Sequence, residues 1–452
     1  MSIRDALEKY SKSNMYPFHM PGHKRQLPGE YQIDMTEVDG VDDLHDPKTI
    51  IAADQKRMAK LYGADESFIL VGGSTVGNLS AIYAACNEND KILIQRNSHK
   101  SVYNAAIVRH LRVGYINPDL DEDGIYQAAT LEQIEYAIKE NGIPKAVVIT
   151  SPTYEGYHCN IKEIAILCHA KNIILIVDQA HGAHLGFHES FRGGASADAD
   201  IVVQSLHKTL PALTQTAAIH VCGKRVDSRR LREALDIFET SSPSYVLMNS
   251  ISRCLDTLEN PGDSWKRYVD NLEDFYRACG ELKHLQVNRN EPEIRDPGKI
   301  IISTKSTNIT GVKLAELLRD NYEIETELAS FSYVLAMTSF MDTEDGFERL
   351  KKALIEIDMQ LAAGSIKFPQ INIHPEKVIE PWEAKAKDQQ TVKLNEAIGH
   401  VSAAMVCLYP PGAPIIVPGE RITEEALELI DAARETKIHV TGIDKDTISV
   451  VN

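Results

Sequence analysis

The chain lacks any apolar run that approaches the roughly 20 residues needed to cross a bilayer. Its first residues, Met1 to Tyr10, carry charges of both signs and no apolar signal core, so we expect a cytoplasmic protein. Its seven cysteines are scattered and form no Cys-x-x-Cys pair, which favours reduced, buried thiols over disulfides or a zinc site. These absences argue against a membrane protein and against a disulfide-stabilised secreted protein.

The chain also has few positively charged residues: it contains 48 lysines and arginines but 65 aspartates and glutamates, so its formal net charge is −17. Nucleic acids and anionic membranes select basic surfaces, so we expect neither as a partner. Histidines recur near the N-terminus, but their spacing matches no zinc pattern, and no metal is expected. With 452 residues, 43% of them hydrophobic, the chain can form two or three domains with a large core.

Two apolar runs end in chemically active residues. The run 173–177 stops at Asp178, and the run 201–203 leads into Ser205-Leu206-His207-Lys208. Such runs are typical of buried parallel strands, and open α/β sheets bind ligands at the carboxyl ends of their strands. Asp178 and Lys208 are therefore predicted to share one cleft.

A carboxylate and a lysine in this arrangement suit pyridoxal 5'-phosphate (PLP). The lysine forms the Schiff base, and the acid keeps the pyridine nitrogen protonated so that the ring acts as an electron sink. Either residue alone is more simply interpreted as a surface charge. Because each follows its own apolar run, the shared site is the better interpretation.

Two further loops could face the same cleft. The predicted strand 68–71 runs into Gly72-Gly73-Ser74-Thr75, where backbone amides, hydroxyls and a helix N-terminus could bind a phosphate. The loop is neither a Walker A nor a GxGxxG motif, so a tight turn with an N-cap remains the alternative. His99 follows the predicted strand 91–94, and it could cover a ring as a flat partner or be an ordinary loop residue.

Repeated β-α units from residue 54 predict a mainly parallel, three-layer α/β/α large domain, followed by a smaller α+β domain. The predicted boundaries are 1–53 for an N-terminal helix and arm, 54–290 for the large domain, and 291–452 for the small domain. The last part includes a linker and a proline-rich loop from Tyr409 to Glu420.

Together these motifs resemble the ornithine/lysine/arginine decarboxylase family of fold-type I, aspartate aminotransferase-like PLP enzymes. The resemblance covers nearly the whole chain. It rests on Pro21-Gly22-His23-Lys24, Asp42-Asp43-Leu44-His45, Gly73-Ser74-Thr75 with Asn78, Arg96-Asn97-Ser98-His99-Lys100, Asp178-Gln179-Ala180-His181-Gly182, Ser205-Leu206-His207-Lys208 and the loop that ends in Glu420. The chain departs from the family in having no room for the N-terminal wing domain of its large members, and in having Gln26 where a glycine is common.

The resemblance implies roles for individual residues. Lys208 would carry the cofactor, Asp178 would pair with the pyridine nitrogen, and His99 would stack on the ring. His207 or Lys208 would return a proton to Cα, which makes the predicted catalytic set Lys208, His207, Asp178 and His99. The predicted cofactor-binding set is Lys208, Asp178, His99, Ser74, Thr75, Ser205, His207, Ala180 and Thr153. The resemblance also implies a homodimer or higher homo-oligomer.

The implied reaction is decarboxylation of a basic amino acid in polyamine biosynthesis, with arginine preferred over lysine and ornithine. A carboxylate should receive the distal cation of this small-molecule substrate; Glu420 is the first candidate, with Asp43 and Glu155 behind it. The alternatives are another fold-type I reaction, such as transamination or aldol-type cleavage, and a regulatory protein without cofactor. The intact pair of Asp178 and Lys208 argues against the last of these.

Overall fold

The structure is a computed structural model, and it describes residues 1–289, 291–366, 369, 372–409 and 412–452. Within these residues, no helix is both long and apolar enough to cross a membrane. All seven cysteines are buried and unpaired, as the sequence predicted.

A seven-stranded sheet forms the centre of the molecule. Its strands are β1 (Glu66–Leu70), β2 (Lys91–Gln95), β3 (Arg112–Ile116), β4 (Ala146–Thr150), β5 (Ile174–Asp178), β6 (Ile201–Ser205) and β7 (Ala217–Val221). They lie in the order β1-β7-β6-β5-β4-β2-β3. Strand β7 is antiparallel to both of its neighbours, and the other adjacent strands are parallel to each other. The predicted mainly parallel sheet is confirmed.

Helices cover both faces of this sheet. They are α1 (Ile3–Ser11), α2 (Ile50–Tyr62), α3 (Gly73–Ala85), α4 (Lys100–Val108), α5 (Leu131–Asn141), α6 (Ile161–Ala170), α7 (Leu206–Thr209), α8 (Ser228–Phe238), α9 (Tyr245–Glu259) and α10 (Ser264–Cys279). Alternation along β5 explains the layers: Ile176 packs with side chains of α3 and α4, whereas Leu175 and Val177 pack with those of α5 and α6. A strand buried on both faces has to be apolar at every position, which is what the run 173–177 shows.

The N-terminal arm is largely irregular, as its prolines and glycines predict. Helix α1 begins at a capping box formed by Ser2 and Asp5, and the Ile3 amide donates to buried Asp54 over 3.0 Å. Between α1 and α2 the only helical element among the described residues is a short 3-10 turn, Gly29–Gln32.

The described residues of the C-terminal part form three smaller sheets. Its elements are β8 (Lys299–Ser303), α11 (Gly311–Tyr322), β9 (Leu328–Ala329), β10 (Tyr333–Met337), α12 (Glu344–Asp358), α13 (Pro381–Ala386), β11 (Gln389–Lys393), β12 (Val406–Tyr409), β13 (Pro414–Ile416), α14 (Glu424–Glu435), β14 (His439–Thr441) and β15 (Thr447–Val451). The predicted small α+β region is confirmed, while the boundaries at 53 and 290 stay predictions.

The proline-rich loop is more regular than the sequence suggested. Residues 414–416 form β13, which pairs with β12 through a register shift, whereas Pro410 and Pro411 lie outside the described residues. Strands β11 to β15 were not predicted, because strands of three to five residues can be identified only when they form a continuous aliphatic run, as those of the central sheet do.

Candidate active site

A pocket opens at the carboxyl ends of the central strands. Asp178 is the last residue of β5, and Lys208 lies in α7, directly after the neighbouring β6. The predicted convergence of these two side chains is therefore present in the structure. The pocket is lined by Ser74, Asn97, His99, Tyr126, Thr150, Tyr154, Glu155, Asp178, Ala180, His181, Lys208 and Ala413.

Asp178 is a buried carboxylate, only 2% exposed, that is held by neutral donors. The Asn78 side-chain amide donates to Oδ2 over 2.9 Å, and the Ala180 backbone amide donates to Oδ1 over 3.1 Å. Neither donor carries a positive charge, so the negative charge of Asp178 remains available to a cationic partner. Small Ala180 leaves the space beside it open.

His99 is held in a fixed orientation at the start of α4. Its Nδ1 accepts from the Ser101 backbone amide over 3.2 Å, so the ring proton is on Nε2. Ser101 Oγ accepts in turn from Asn78, which thereby links His99 to Asp178. Burial lowers the pKa of His99 and keeps the ring neutral, as a flat cover for a ligand requires.

The surroundings of Lys208 favour its neutral, nucleophilic amine. Its Nζ lies 2.9 Å from His181 Nε2. Burial lowers the pKa of Lys208, although the charge of Asp178 opposes this effect. A lysine with a lowered pKa has more of the neutral amine that attacks a carbonyl carbon.

Hydroxyl groups meet at the N-terminus of α3. Ser205 Oγ lies 3.0 Å from Ser74 Oγ, and Thr75 is exposed in the first turn of the helix. Gly73 has φ +76°, a left-handed conformation that favours glycine. These groups and the free helix amides form a corner suited to a phosphate.

Four residues of the predicted cofactor-binding set lie outside the pocket lining: Thr75, Ser205, His207 and Thr153. His207 donates from Nδ1 to the Thr216 carbonyl over 2.8 Å, and burial lowers its pKa. Thr153 is buried, and its Oγ1 accepts from the Tyr157 backbone amide over 3.0 Å. Thr153 therefore fixes the turn that carries Tyr154 and Glu155 into the pocket, and we assign it no contact with a ligand.

The three acidic candidates lie in different places. Glu155 lines the pocket, is 6% exposed and accepts from the Tyr333 hydroxyl over 2.9 Å. Burial raises the pKa of Glu155. Asp43 does not line the pocket; it accepts from the His45 backbone amide over 2.9 Å in the N-terminal arm.

Glu420 requires a correction, because the structure does not place it where it could select a substrate. Its side chain is fully buried, 2.9 Å from the Arg96 guanidinium, and it also accepts from the Val417 amide over 2.7 Å. Burial raises the pKa of Glu420, and Arg96 opposes that shift. The charge is already matched within the chain, so Glu420 stabilises the contact between β13 and the large sheet.

We expect Glu420→Gln to lower the free energy of unfolding by about 3 kcal/mol, because it leaves the Arg96 charge buried without a partner. Urea denaturation measures this loss. Glu376→Gln is the matched control, because Glu376 pairs with exposed Arg421 over the same 2.9 Å, and a surface pair contributes less than about 1 kcal/mol. A fall in kcat/KM for basic amino acids at unchanged stability would restore Glu420 as a substrate residue.

Three residues that hydrogen-bond within the site had been given no role from the sequence: His181, which lines the pocket, and Asn78 and Lys299, which contact lining residues from outside it. Asn78 follows Ser74 by one helical turn, so both lie on the same face of α3, and that spacing was available as a signal. His181 follows Asp178 by three residues in a turn that no periodicity describes. Lys299 opens the apolar strand β8, and its Nζ lies 2.7 Å from His181 Nδ1.

The residues of the pocket fit PLP. The buried Asp178 carboxylate with neutral donors suits a pyridinium, the amine of Lys208 suits an aldehyde, and the hydroxyls of Ser74 and Ser205 suit a phosphate. His99 and Ala180 border the space between these groups.

Comparison with known proteins agrees with this chemistry. Residues 2–291 match the family described as Orn/Lys/Arg decarboxylase, major domain, and residues 359–452 match Orn/Lys/Arg decarboxylase, C-terminal domain. The sequence is 31% identical over 473 residues to arginine decarboxylase of Bacillus subtilis (strain 168), covering 98% of this chain and 96% of that protein. It is 23% identical to constitutive lysine decarboxylase of Escherichia coli (strain K12), covering 98% and 80%.

Solved structures share the fold. The structure of the Francisella novicida lysine decarboxylase LdcF matches with a TM-score of 0.86 at 20% identity, covering 100% of this chain and 81% of that one. Serine palmitoyltransferase of Sphingomonas wittichii matches with a TM-score of 0.54 at 14% identity, over 68% of this chain and 76% of that one. The fold is therefore fold-type I, and the chain belongs to the Orn/Lys/Arg decarboxylase family of amino-acid decarboxylases.

Proposed function

We propose that the chain uses PLP, bound through Lys208, to decarboxylate a basic amino acid, with arginine preferred over lysine and ornithine. The single observation that carries this proposal is the meeting of Asp178 and Lys208 in one buried pocket. The preference for arginine follows the relatives named arginine decarboxylase, which are about as long as this chain and 30 to 31% identical to it.

Several residues in and beside the pocket have a task in this reaction. When bound, PLP supplies an electron-poor ring that takes up the electron pair released as the substrate carboxylate leaves. Asp178 holds a proton at the pyridine nitrogen, His99 covers the ring, and Ser74 and Ser205 bind the phosphate. Thr75, in the exposed first turn of α3, is a further phosphate contact.

Lys208 is the better candidate for returning a proton to the substrate Cα. Its amine lines the pocket, whereas His207 does not and already donates to Thr216. His207 then acts by holding the short helix α7 that carries Lys208. The choice follows geometry, because a proton donor has to reach the atom that it protonates.

The α-carboxylate should be left without an arginine clamp, since a bidentate arginine would hold it in the plane of the ring. The small domain contributes Arg295, Arg319 and Arg349. Arg319 and Arg349 form exposed contacts with neighbouring acidic groups, and Arg295 donates to the Asn288 carbonyl. None of the three is among the described residues that line the pocket.

Glu155 is positioned to bind the distal cation of the substrate. It borders the pocket and also a second cavity, which shares Tyr126 and Ala413 and continues past Leu328 and Ile415. An aliphatic side chain can pass this apolar region while its cationic end meets the carboxylate. Burial raises the pKa of Glu155, and a guanidinium bound beside it would favour the ionised carboxylate.

We expect Glu155→Gln to lower kcat/KM for arginine by about 100-fold, because losing one partner of a buried charge pair costs about 2–5 kcal/mol. Tyr333→Phe is the matched control: it removes the 2.9 Å hydrogen bond to Glu155 but keeps the carboxylate, and we expect a loss of less than about tenfold. Steady-state kinetics and the visible spectrum of bound cofactor separate substrate binding from cofactor binding. Equal losses in both variants would contradict the assignment.

The test of the proposed function is kcat/KM for arginine, lysine, ornithine and leucine. We expect turnover in that order for the basic three and strong rejection of leucine, which would leave a buried carboxylate unpaired. If leucine turns over as well as arginine, the requirement for a distal charge is wrong.

Three properties complete the proposal. We propose a cytoplasmic homodimer or higher homo-oligomer whose amine product enters polyamine biosynthesis. Light scattering of the purified chain measures the oligomeric state, and a monomer that turns over arginine at the full rate would contradict it. Nucleic acid and membrane are not expected partners, given the net charge of −17.

A further inference from the structure

A second lysine approaches the cofactor lysine through a histidine. His181 lies between the two, with Nε2 2.9 Å from Lys208 Nζ and Nδ1 2.7 Å from Lys299 Nζ. Lys299 comes from β8 of the small domain and is 1% exposed, and its stem passes Gly156 so closely that a Cβ there would lie 2.9 Å from Lys299 Cγ. The contact thus combines a buried lysine with a glycine, Gly156, at φ +103°.

Hydrogen-bond accounting restricts the protons that this cluster can hold. An ammonium group has three donors and no lone pair, and a neutral imidazole has one donor and one acceptor. His181 is neutral, because burial holds its pKa well below the usual value. Its single N–H must therefore donate to an amine lone pair, so one of the two lysines is uncharged.

The surroundings favour Lys299 as the charged lysine. Its Nζ lies 5.7 Å from the centre of the Tyr154 ring and 3.0 Å from Met337 Sδ. Burial lowers the pKa of Lys299 to about 8, and the carboxylates of Asp296, Glu327 and Glu155 oppose the shift. An ammonium at Lys299 thus has the sulfur and the ring face in addition to His181 Nδ1, whereas the hydrogen-bond partner of Lys208 Nζ among the described residues is His181 Nε2.

Lys208 has fewer charges to support an ammonium. The charged groups that act on it are Asp178 and Glu327, and Asp178 is the residue expected to pair with the pyridine nitrogen once cofactor is bound. His181 also faces His99 and His207, both with pKa values lowered by burial and therefore neutral.

We propose that Lys299, acting through His181, keeps Lys208 in its neutral amine form and so speeds attachment of the cofactor. Lys299 donates to Nδ1, which places the ring proton on Nε2, and Nε2–H then donates to the lone pair of Lys208. A primary amine condenses with an aldehyde only from its neutral form, with loss of water. Lys299 is thus a positioning residue, and the inference rests on the proposed function only in that Lys208 is the cofactor lysine.

The test compares cofactor attachment in Lys299→Met and Lys299→Arg. Cofactor-free protein is mixed with PLP, and the rate at which the visible absorption band forms is followed from about pH 6 to about pH 9. The rate falls at acid pH as Lys208 becomes protonated. We expect this acid limb of the pH–rate profile to move up by about one pH unit in Lys299→Met, because the group that holds Lys208 neutral is gone. Arginine is charged and donates but cannot lose its proton, so Lys299→Arg should keep the wild-type limb or move it down.

Three further variants isolate the route. Lys305→Met removes a lysine of the small domain that pairs with Glu122 at the surface, and its profile should overlay the wild type. His181→Phe should move the limb upward, and adding Lys299→Met should produce no further shift. A Lys299→Met profile equal to the wild type would overturn the proposal, as would additive shifts in the double variant. Thermal unfolding confirms that each variant is folded.

Competitive acetylation of Lys208 in the cofactor-free chain measures the pH midpoint of Lys208 deprotonation without any reaction with PLP, because only the neutral amine is acetylated. An unchanged acetylation midpoint in Lys299→Met contradicts this inference alone. Failure of wild-type Lys208 to bind PLP would instead contradict the proposed function, and the acetylation midpoint would still decide the role of Lys299.

Discussion

Lys208→Ala should lose covalent attachment of PLP, and its kcat should fall by at least about 10³-fold. Alanine has no amine, so neither the covalent link nor proton return from this position is possible. Lys208 lies directly after β6, in the pocket with Asp178, and no backbone change is needed to replace it. The residual activity would come from cofactor held only by non-covalent contacts.

Borohydride reduction followed by peptide mapping checks this result. In the wild type the pyridoxyl group should be found on Lys208. Lys100→Ala is the control, since Lys100 is an exposed lysine at the start of α4 beside His99 and should leave the label in place. A label on any other lysine, Lys299 included, would show that the central assignment is wrong.

Asp178→Asn should bind cofactor and react about 10²–10³-fold more slowly. Asparagine keeps the shape and can still accept from Asn78 or the Ala180 amide, but it has no charge to stabilise a protonated pyridine nitrogen. The effect should therefore appear in kcat, while the visible spectrum still shows bound cofactor.

Asp200→Asn is the matched control for that variant. Asp200 is also buried, at 1% exposed, but it lies at the opposite end of the strands, where it accepts from the Leu175 amide over 2.8 Å. We expect lower stability and an unchanged kcat. Turnover by Asp178→Asn at the wild-type rate would contradict the electron-sink role.

The central residues could be predicted because they follow strands. An apolar run buried on both faces is visible in the sequence, and its last residue has to lie at the edge where ligands bind. Asp178, Lys208 and His99 were located in this way, and Ser74 by the glycines before α3. Local pattern and tertiary position coincide at these residues.

The rest of the site could not be predicted, because it depends on contacts distant in sequence. Lys299 is 118 residues from His181, and no pattern near either residue indicates that they meet. Glu420 shows the opposite error: its rigid, acidic setting suggested a binding role, but Arg96, 324 residues away, is its partner. Formal charge in the sequence does not tell whether a carboxylate is already neutralised by another part of the chain.

The most direct test of the account follows the fate of the substrate's carboxyl carbon. The wild-type chain with PLP is given arginine labelled in the carboxyl group, and released CO₂ and the organic product are both quantified. The account predicts one CO₂ for each arginine consumed, together with an equal amount of the corresponding amine, identified by mass. Recovery of the label in a 2-oxo acid, with no CO₂ released, would contradict it and establish transamination instead.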